Sequence, residues 1–170
     1  MSSPTDIKLI VFDVDGVLTD GGIYMDDRGT ELKRFHVRDG FAIKAAMSLG
    51  LRIGVLTGRS TPTVALRMAE LGVTLVIQAA HEKGTALETM CQQAGVQPDE
   101  VAYLGDDLID LPAMLRCGYP MAVADAVEEV RAVARYVTAC NGGDAAGREA
   151  IEHVLKEQGR WDEVVERYGV

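Results

Sequence analysis

Ile7-Lys8-Leu9-Ile10-Val11-Phe12-Asp13-Val14-Asp15-Gly16 constrains the fold more than any other stretch of the chain. The apolar run reads as a short strand buried on both faces, the pattern of a central strand in a parallel sheet. It ends in two carboxylates one residue apart. Positions i and i+2 leaving a strand project to one side, so Asp13 and Asp15 are expected to converge at the strand's carboxyl end, where Gly16 lets the chain turn away. Paired carboxylates repel unless a cation lies between them, and a hard divalent ion with oxygen ligands, Mg2+ above all, suits the pair. Asp-x-Asp-Gly is also compatible with a capped turn. A calcium loop is excluded, because Val17 and Gly21 stand where further oxygen ligands belong and no glutamate closes the loop.

The remaining chain alternates strand and helix. Ile23 to Met25, a turn at Asp26-Asp27-Arg28-Gly29 and Thr30 to His36 predict a β-hairpin flap over about 21–36. A helix is expected from Asp39 to Leu49, a strand from Leu51 to Leu56, and a helix opening at Ser60 or Thr61-Pro62. Further strands are expected at Val73–Ile77, Val101–Leu104, Tyr119–Val123 and Tyr136–Val137. Helices are expected at Thr85–Ala94, Leu111–Arg116 and Ala126–Ala134. This alternation predicts an α/β fold, a three-layer Rossmann-like parallel sheet with helices on both faces. Asn141-Gly142-Gly143-Asp144 reads as a flexible loop, followed by two amphipathic helical stretches in a tail of about 141–170.

With 170 residues, 48% hydrophobic and 25% charged, the chain suits one globular domain, 1–170, without a linker. A net charge of -9 argues against non-specific binding to nucleic acid or an anionic membrane, so an anionic substrate needs a local basic pocket. The first residues, Met1 to Asp6, lack a basic region followed by a long apolar one, and the expected location is the cytoplasm. Three cysteines without metal-ligand spacing read as reduced, structural thiols.

Ligands of an open parallel sheet bind at the carboxyl ends of its strands. Asp13 and Asp15, Thr57, Lys83 and the cluster Asp106-Asp107-Asp110 are all expected there. Thr57, Asp106 and Asp107 would each serve singly as helix caps, and Lys83 as a solvated lysine; four ordered members together point to chemistry.

These four runs, Asp13-Val14-Asp15-Gly16-Val17, Thr57-Gly58-Arg59, Lys83 and Gly105-Asp106-Asp107-Leu108-Ile109-Asp110, resemble the motifs of the haloacid dehalogenase-type phosphohydrolase superfamily, over residues 7 to 137. Asp15 to Gly21, His36-Val37-Arg38-Asp39-Gly40 and Gly105 to Asp110 are similar to its capless subgroup acting on 3-deoxy-D-manno-octulosonate 8-phosphate, an intermediate of lipopolysaccharide precursor synthesis. The resemblance implies a phosphomonoesterase with Asp13 as nucleophile, Asp15 as acid and base, and Thr57 and Lys83 on the phosphoryl oxygens. It implies Mg2+ held by Asp13, the Asp15 backbone carbonyl and Asp106, with Asp110 and Asp107 behind them; Asp106 and Asp107 are interchangeable at this stage. Substrate contacts are implied for His36, Val37, Arg38, Asp39, Gly40, Lys44, Arg59 and Arg67. Between Asp20 and Thr57 there is no room for a cap domain, and oligomerisation is the economical cover; the resemblance implies a homotetramer in which a neighbour's tail closes the site. Asp144 departs from the family's Gly-Gly-Arg-Gly-Ala-type loop and leaves the tail's contact with an anionic sugar open. A nine-carbon acidic sugar phosphate is an alternative substrate, and a non-catalytic tetramerisation module an alternative class.

Overall fold

The computed structural model describes residues 3–169; Met1, Ser2 and Val170, which belong to the expected domain and to its first and last segments, lie outside the described residues. Six strands form one parallel sheet: β1 (Leu9–Phe12), β4 (Arg52–Leu56), β5 (Leu75–Ile77), β6 (Val101–Gly105), β7 (Tyr119–Ala122) and β8 (Tyr136–Val137). Their order is β5-β4-β1-β6-β7-β8. Leu9 to Phe12 are fully buried because β1 is central, with Phe12 opposite Val55 of β4 and Leu104 of β6. The chain builds outward from β1 through β4 and β5, then returns to build the other side from β6. Strand order therefore reverses between β1 and β6, and the crevice beyond their carboxyl ends is where such sheets bind ligands.

Right-handed crossovers put helices on both faces. On one face α1 (Val37–Ser48) packs on α2 (Pro62–Leu71) and on α6 (Ala146–Glu157); on the other, α3 (Lys83–Ala94) packs on α4 (Leu111–Met114). A short α5 (Glu128–Val133) joins β7 to β8, and α7 (Trp161–Glu166) follows α6. The expected elements are all present, with displaced ends. Helix α1 opens at Val37 rather than Asp39, because His36 caps it: its Nδ1 accepts from the Arg38 amide at 3.2 Å. Helix α3 opens at Lys83 rather than Thr85.

The hairpin is short. Strands β2 (Tyr24–Met25) and β3 (Glu31–Leu32) pair antiparallel, with the Asp26 carboxylate tying the turn through the Arg28 and Thr30 amides at 3.0 and 2.7 Å. Ile23, Met25 and Leu32 remain exposed on it. In the tail only the loop departs from expectation. Ile151, Val154 and Leu155 of α6 are fully buried in the single core, so this segment is part of the domain. The loop before it, expected to be flexible, is pinned: Gly142 donates to Asp125 at 2.9 Å and Gly143 to the Val17 carbonyl at 3.0 Å.

Candidate active site

The buried run of β1 stops at Asp13, and the next five residues form one turn closed by the Thr19 amide on the Val14 carbonyl at 3.0 Å. Gly16 lies in the left-handed region at φ 86°, where a side chain would be strained and would also collide with the Asp106 carboxylate. Sheet register brings the ends of β1, β4 and β6 side by side. Asp13, Asp15, Thr57, Arg59, Asp106 and Asp107 line one cleft of about 250 Å³ at that rim.

Asp13, Asp106 and Asp110 approach so closely that one oxygen of each lies within 4.8 Å of the others. Lys83 is the cation among them. Its ammonium is 2.8 Å from Asp13 and donates to Asp110 at 2.6 Å, with the side chain 1% exposed. Burial alone would depress the Lys83 pKa, but the charges of Asp13 and Asp110 outweigh it and hold the ammonium above its ordinary value. Burial pushes the Asp13 carboxyl upward, helped by Asp110 and opposed by Lys83; Asp106 moves the same way through burial and the charges of Asp13 and Asp110. One ammonium does not neutralise three carboxylates.

The three acids differ in how they are satisfied. Asp110, completely buried, has both oxygens engaged: Oδ1 accepts from Lys83 and from the Tyr103 hydroxyl at 2.7 Å, and Oδ2 from the Asp106 amide at 3.0 Å. Asp106 Oδ1 is buried without any hydrogen-bond donor, and Asp13 Oδ1 has only the Lys83 ammonium beside it. Oxygens in that condition, facing a cleft, fit a divalent cation with oxygen ligands, so the donor set expected for Mg2+ is compatible with this geometry. Asp107 is placed differently. It is exposed and its carboxylate caps the following turn through the Leu108 amide at 2.7 Å. Among the described residues it is therefore Asp106, of the two interchangeable acids, that joins the cluster.

Asp15 corrects the expectation that both side chains of the pair converge. Its carboxylate turns toward the hairpin, where it accepts from Lys33. Lys33 also meets Glu31 at 2.9 Å, and Glu31 in turn meets Arg59 at 2.8 Å. The Lys33 side chain is 2% exposed; burial lowers its pKa, but its bonds to Asp15 and Glu31 raise it on balance. Sequence reasoning missed Lys33 and Glu31. The signal available was their period-two spacing, which puts both on one face of the returning hairpin strand. Thr57 is buried with its hydroxyl accepting from the Arg59 amide at 3.3 Å.

The implied substrate contacts other than Arg59 lie outside this cleft in the single chain. Val37, Arg38 and Lys44 are exposed on α1. Asp39 is buried and accepts from the Arg148 amide at 2.6 Å, capping α6. Arg67 pairs with Glu70 at 2.8 Å, and its guanidinium lies over Phe35 and beside Gly40, which has no side chain to obstruct it.

Sequence comparison bears on the same residues. Residues 72–148, which include Lys83 and Asp106 to Asp110, match the model of the haloacid dehalogenase-like hydrolases. The chain is 43% identical over 155 residues to the 3-deoxy-D-manno-octulosonate 8-phosphate phosphatase KdsC of Haemophilus influenzae, covering 91% of this chain and 86% of that one. This chain belongs to the KdsC family of haloacid dehalogenase-like hydrolases. The KdsC of Escherichia coli K12 is likewise 43% identical, over 93% of this chain and 84% of its own. Among solved KdsC-type structures, the 3-deoxy-D-manno-octulosonate 8-phosphate phosphatase of Moraxella catarrhalis, in complex with magnesium ion, phosphate ion and KDO, superposes with a TM-score of 0.94. It is 39% identical, over 97% of this chain and 95% of that one. The cobalt-bound H. influenzae enzyme superposes with a TM-score of 0.90 at 42% identity, over 93% and 92%. Metal ions thus accompany two structures of the family. Among the described residues of this chain, no helix is long and apolar enough to cross a membrane.

Proposed function

We propose that this protein is a Mg2+-dependent phosphomonoesterase that hydrolyses 3-deoxy-D-manno-octulosonate 8-phosphate to the free sugar acid and phosphate, in lipopolysaccharide precursor synthesis. The observation that carries the reading is the arrangement of Asp13, Lys83 and Asp106 at the cleft, where one ammonium faces several carboxylates and Asp106 Oδ1 is left without a donor, in a chain so similar to a relative crystallised with magnesium, phosphate and KDO.

Phosphate monoesters resist attack because their own charge repels nucleophiles, so the site must neutralise charge, align the nucleophile and protonate the leaving alkoxide. Asp13 is fixed at the end of β1 and attacks phosphorus, forming an aspartyl-phosphate as the ester oxygen departs. Asp15, on the rim of the same cleft, protonates the departing sugar oxygen and then takes a proton from the water that hydrolyses the aspartyl-phosphate, which restores Asp13 and releases phosphate. Lys33 holds the Asp15 carboxylate at the rim between these steps. Lys83 and the Thr57 hydroxyl bind the phosphoryl oxygens, and Asp110 aims Lys83. Asp13, the Asp15 carbonyl and Asp106 would hold a Mg2+, which when bound would neutralise the phosphoryl charge.

Arg59 sits on the cleft and suits the sugar carboxylate, which a guanidinium binds through two parallel hydrogen bonds. His36, Val37, Arg38, Gly40, Lys44 and Arg67 lie away from the cleft, so contacts from them require a neighbouring subunit, whereas the buried Asp39 is committed to capping α6. A cytoplasmic homotetramer of single-domain chains, with the exposed apolar hairpin residues at its contacts, provides one. Phosphate release from a panel of eight-carbon and nine-carbon ketoacid sugar phosphates, with and without chelator, tests the reading. Fastest turnover of the eight-carbon ester, abolished by chelator, is expected. Preference for the nine-carbon ester would replace the substrate, and no multiple turnover of any ester would replace the enzyme with a structural module.

A further inference from the structure

Against the catalytic turn lies the loop that leads into α6. Gly142 packs its backbone directly on Gly16: a Cβ there would overlap the Gly16 carbonyl oxygen and lie 2.5 Å from its carbon. Gly143, at φ 72°, packs on the next residues of the turn, where a Cβ would lie 2.6 Å from the Thr19 carbonyl carbon. Its amide donates to the Val17 carbonyl at 3.0 Å. Gly16 is equally tight against Asp106, since a Cβ on it would lie 2.7 Å from the Asp106 carboxyl carbon. Gly16 thus has the Asp106 carboxylate close against its Cα and Gly142 close against its carbonyl. The loop is itself anchored, by the Gly142 amide on Asp125 at 2.9 Å, by Asp144 on the hairpin's Arg34 at 3.2 Å and by the Arg148 amide on Asp39 at 2.6 Å.

We infer that Gly142 and Gly143 are positioning residues: they form a backstop that sets the distance from the catalytic turn to Asp106, and so the metal-binding geometry of residues that never touch the loop. This rests on the phosphatase reading above for its functional consequence, though not for the packing itself. A side chain at either position must displace the turn, and with it the close Gly16–Asp106 contact, or lift the loop. Displacements of about 1 Å at a reacting site cost on the order of 100-fold in rate, and disturbing the groups that orient metal ligands costs about 10- to 100-fold in metal affinity.

Gly142→Ala is the direct test, read by calorimetric Mg2+ binding to the substrate-free protein, by kcat and KM, and by amide exchange of residues 14–19 without metal. The Mg2+ dissociation constant should rise about tenfold, kcat should fall about 100-fold with little change in KM, and exchange across the turn should quicken. Asp125→Ala, which frees the loop without adding bulk, should weaken Mg2+ binding in the same direction, and Asp125→Asn, which keeps an acceptor, should restore it. Gly95→Ala is the control: Gly95 also has positive φ, at 64°, with nothing within 4 Å of a Cβ, so it should lower stability alone. Parental Mg2+ binding and exchange in both Gly142→Ala and Asp125→Ala, or equal losses in Gly95→Ala, would overturn the inference. If the parent hydrolyses no ester, the phosphatase reading fails, while exchange across the turn still decides whether the loop holds it.

Discussion

Two acidic regions of this molecule, the rim cluster around Asp13 and Asp106 and the lone Asp39 between α1 and α6, each hold an orphaned carboxylate oxygen, on Asp106 and on Asp39, residues whose pKa burial raises. They differ in what the orphan faces. At the rim it faces a cleft of about 250 Å³ that Thr57 and Arg59 also line. At Asp39 it lies beside a pocket of about 10 Å³, lined by Leu18, Ile43, Met68 and Leu71 together with His36 and Arg67. Asp39 spends its other oxygen on the Arg148 amide in the first turn of α6, where a negative charge also suits the helix dipole. Burial with a perturbed pKa therefore does not by itself distinguish chemistry from architecture; open space with converging donors does.

The largest effect expected from this contrast is on turnover. Asp13→Asn removes the nucleophile and a like charge from the cluster, so phosphate release should fall by at least about 10⁴-fold while circular dichroism and the unfolding midpoint hold or improve. Residual turnover near the parent's would take Asp13 out of its role. Lys83→Met comes next, because it leaves Asp13 and Asp110 buried without their cation. Activity should vanish and denaturant unfolding should show a loss of about 3–5 kcal/mol. A parental midpoint would mean that the ammonium neutralises little.

Asp39 tests the architectural side. Burial raises its carboxyl from 3.8 to about 6, with the Arg148 amide and the Arg67 and Arg148 charges pulling it back. The folded state therefore holds this proton more tightly than the unfolded chain, so its stabilising contribution is full below about pH 4 and is lost as pH rises to about 6. Asp39→Asn keeps the acceptor for Arg148 and cannot ionise. Its stability relative to the parent should climb between pH 4 and 6 by up to about 3 kcal/mol, then level off, with activity largely kept. A flat difference would place the carboxyl in a more polar setting than its contacts indicate, and a loss of turnover matching Asp13→Asn would erase the contrast between the regions. The smallest effect is expected at the seam between cleft and hairpin. Lys33→Met frees Asp15 and should slow hydrolysis of an alkyl sugar phosphate about tenfold, or about 1.4 kcal/mol, with Lys33→Arg recovering most of it. Unchanged turnover in Lys33→Met would make the pair a surface ornament of the hairpin.

What was legible beforehand follows chain distance. The β1 run, the Asp13-Val14-Asp15-Gly16 turn and the helix end at Ala94 before Gly95 are local patterns, each dictated by side chains within a few residues. The gathering of Thr57, Lys83 and Asp106 at one rim was legible too, because in a parallel sheet every strand ends on the same side. Lys33 escaped because its partner Asp15 lies 18 residues back and only the hairpin's fold over the cleft joins them. The Gly142-Gly143 pair misled because glycine permits both freedom and close approach, and composition does not say which.

By itself, then, the amino-acid order determined the alternation of elements, the acidic rim and its chemistry, since periodicity and strand polarity are properties of a chain read a few residues at a time. Only the tertiary structure decided that Asp106 rather than Asp107 faces Asp13, that Asp39 caps a helix, and that the loop before α6 braces the catalytic turn. Those outcomes depend on steric contacts between segments up to 126 positions apart, as between Gly16 and Gly142, and such contacts exist only once the core has closed.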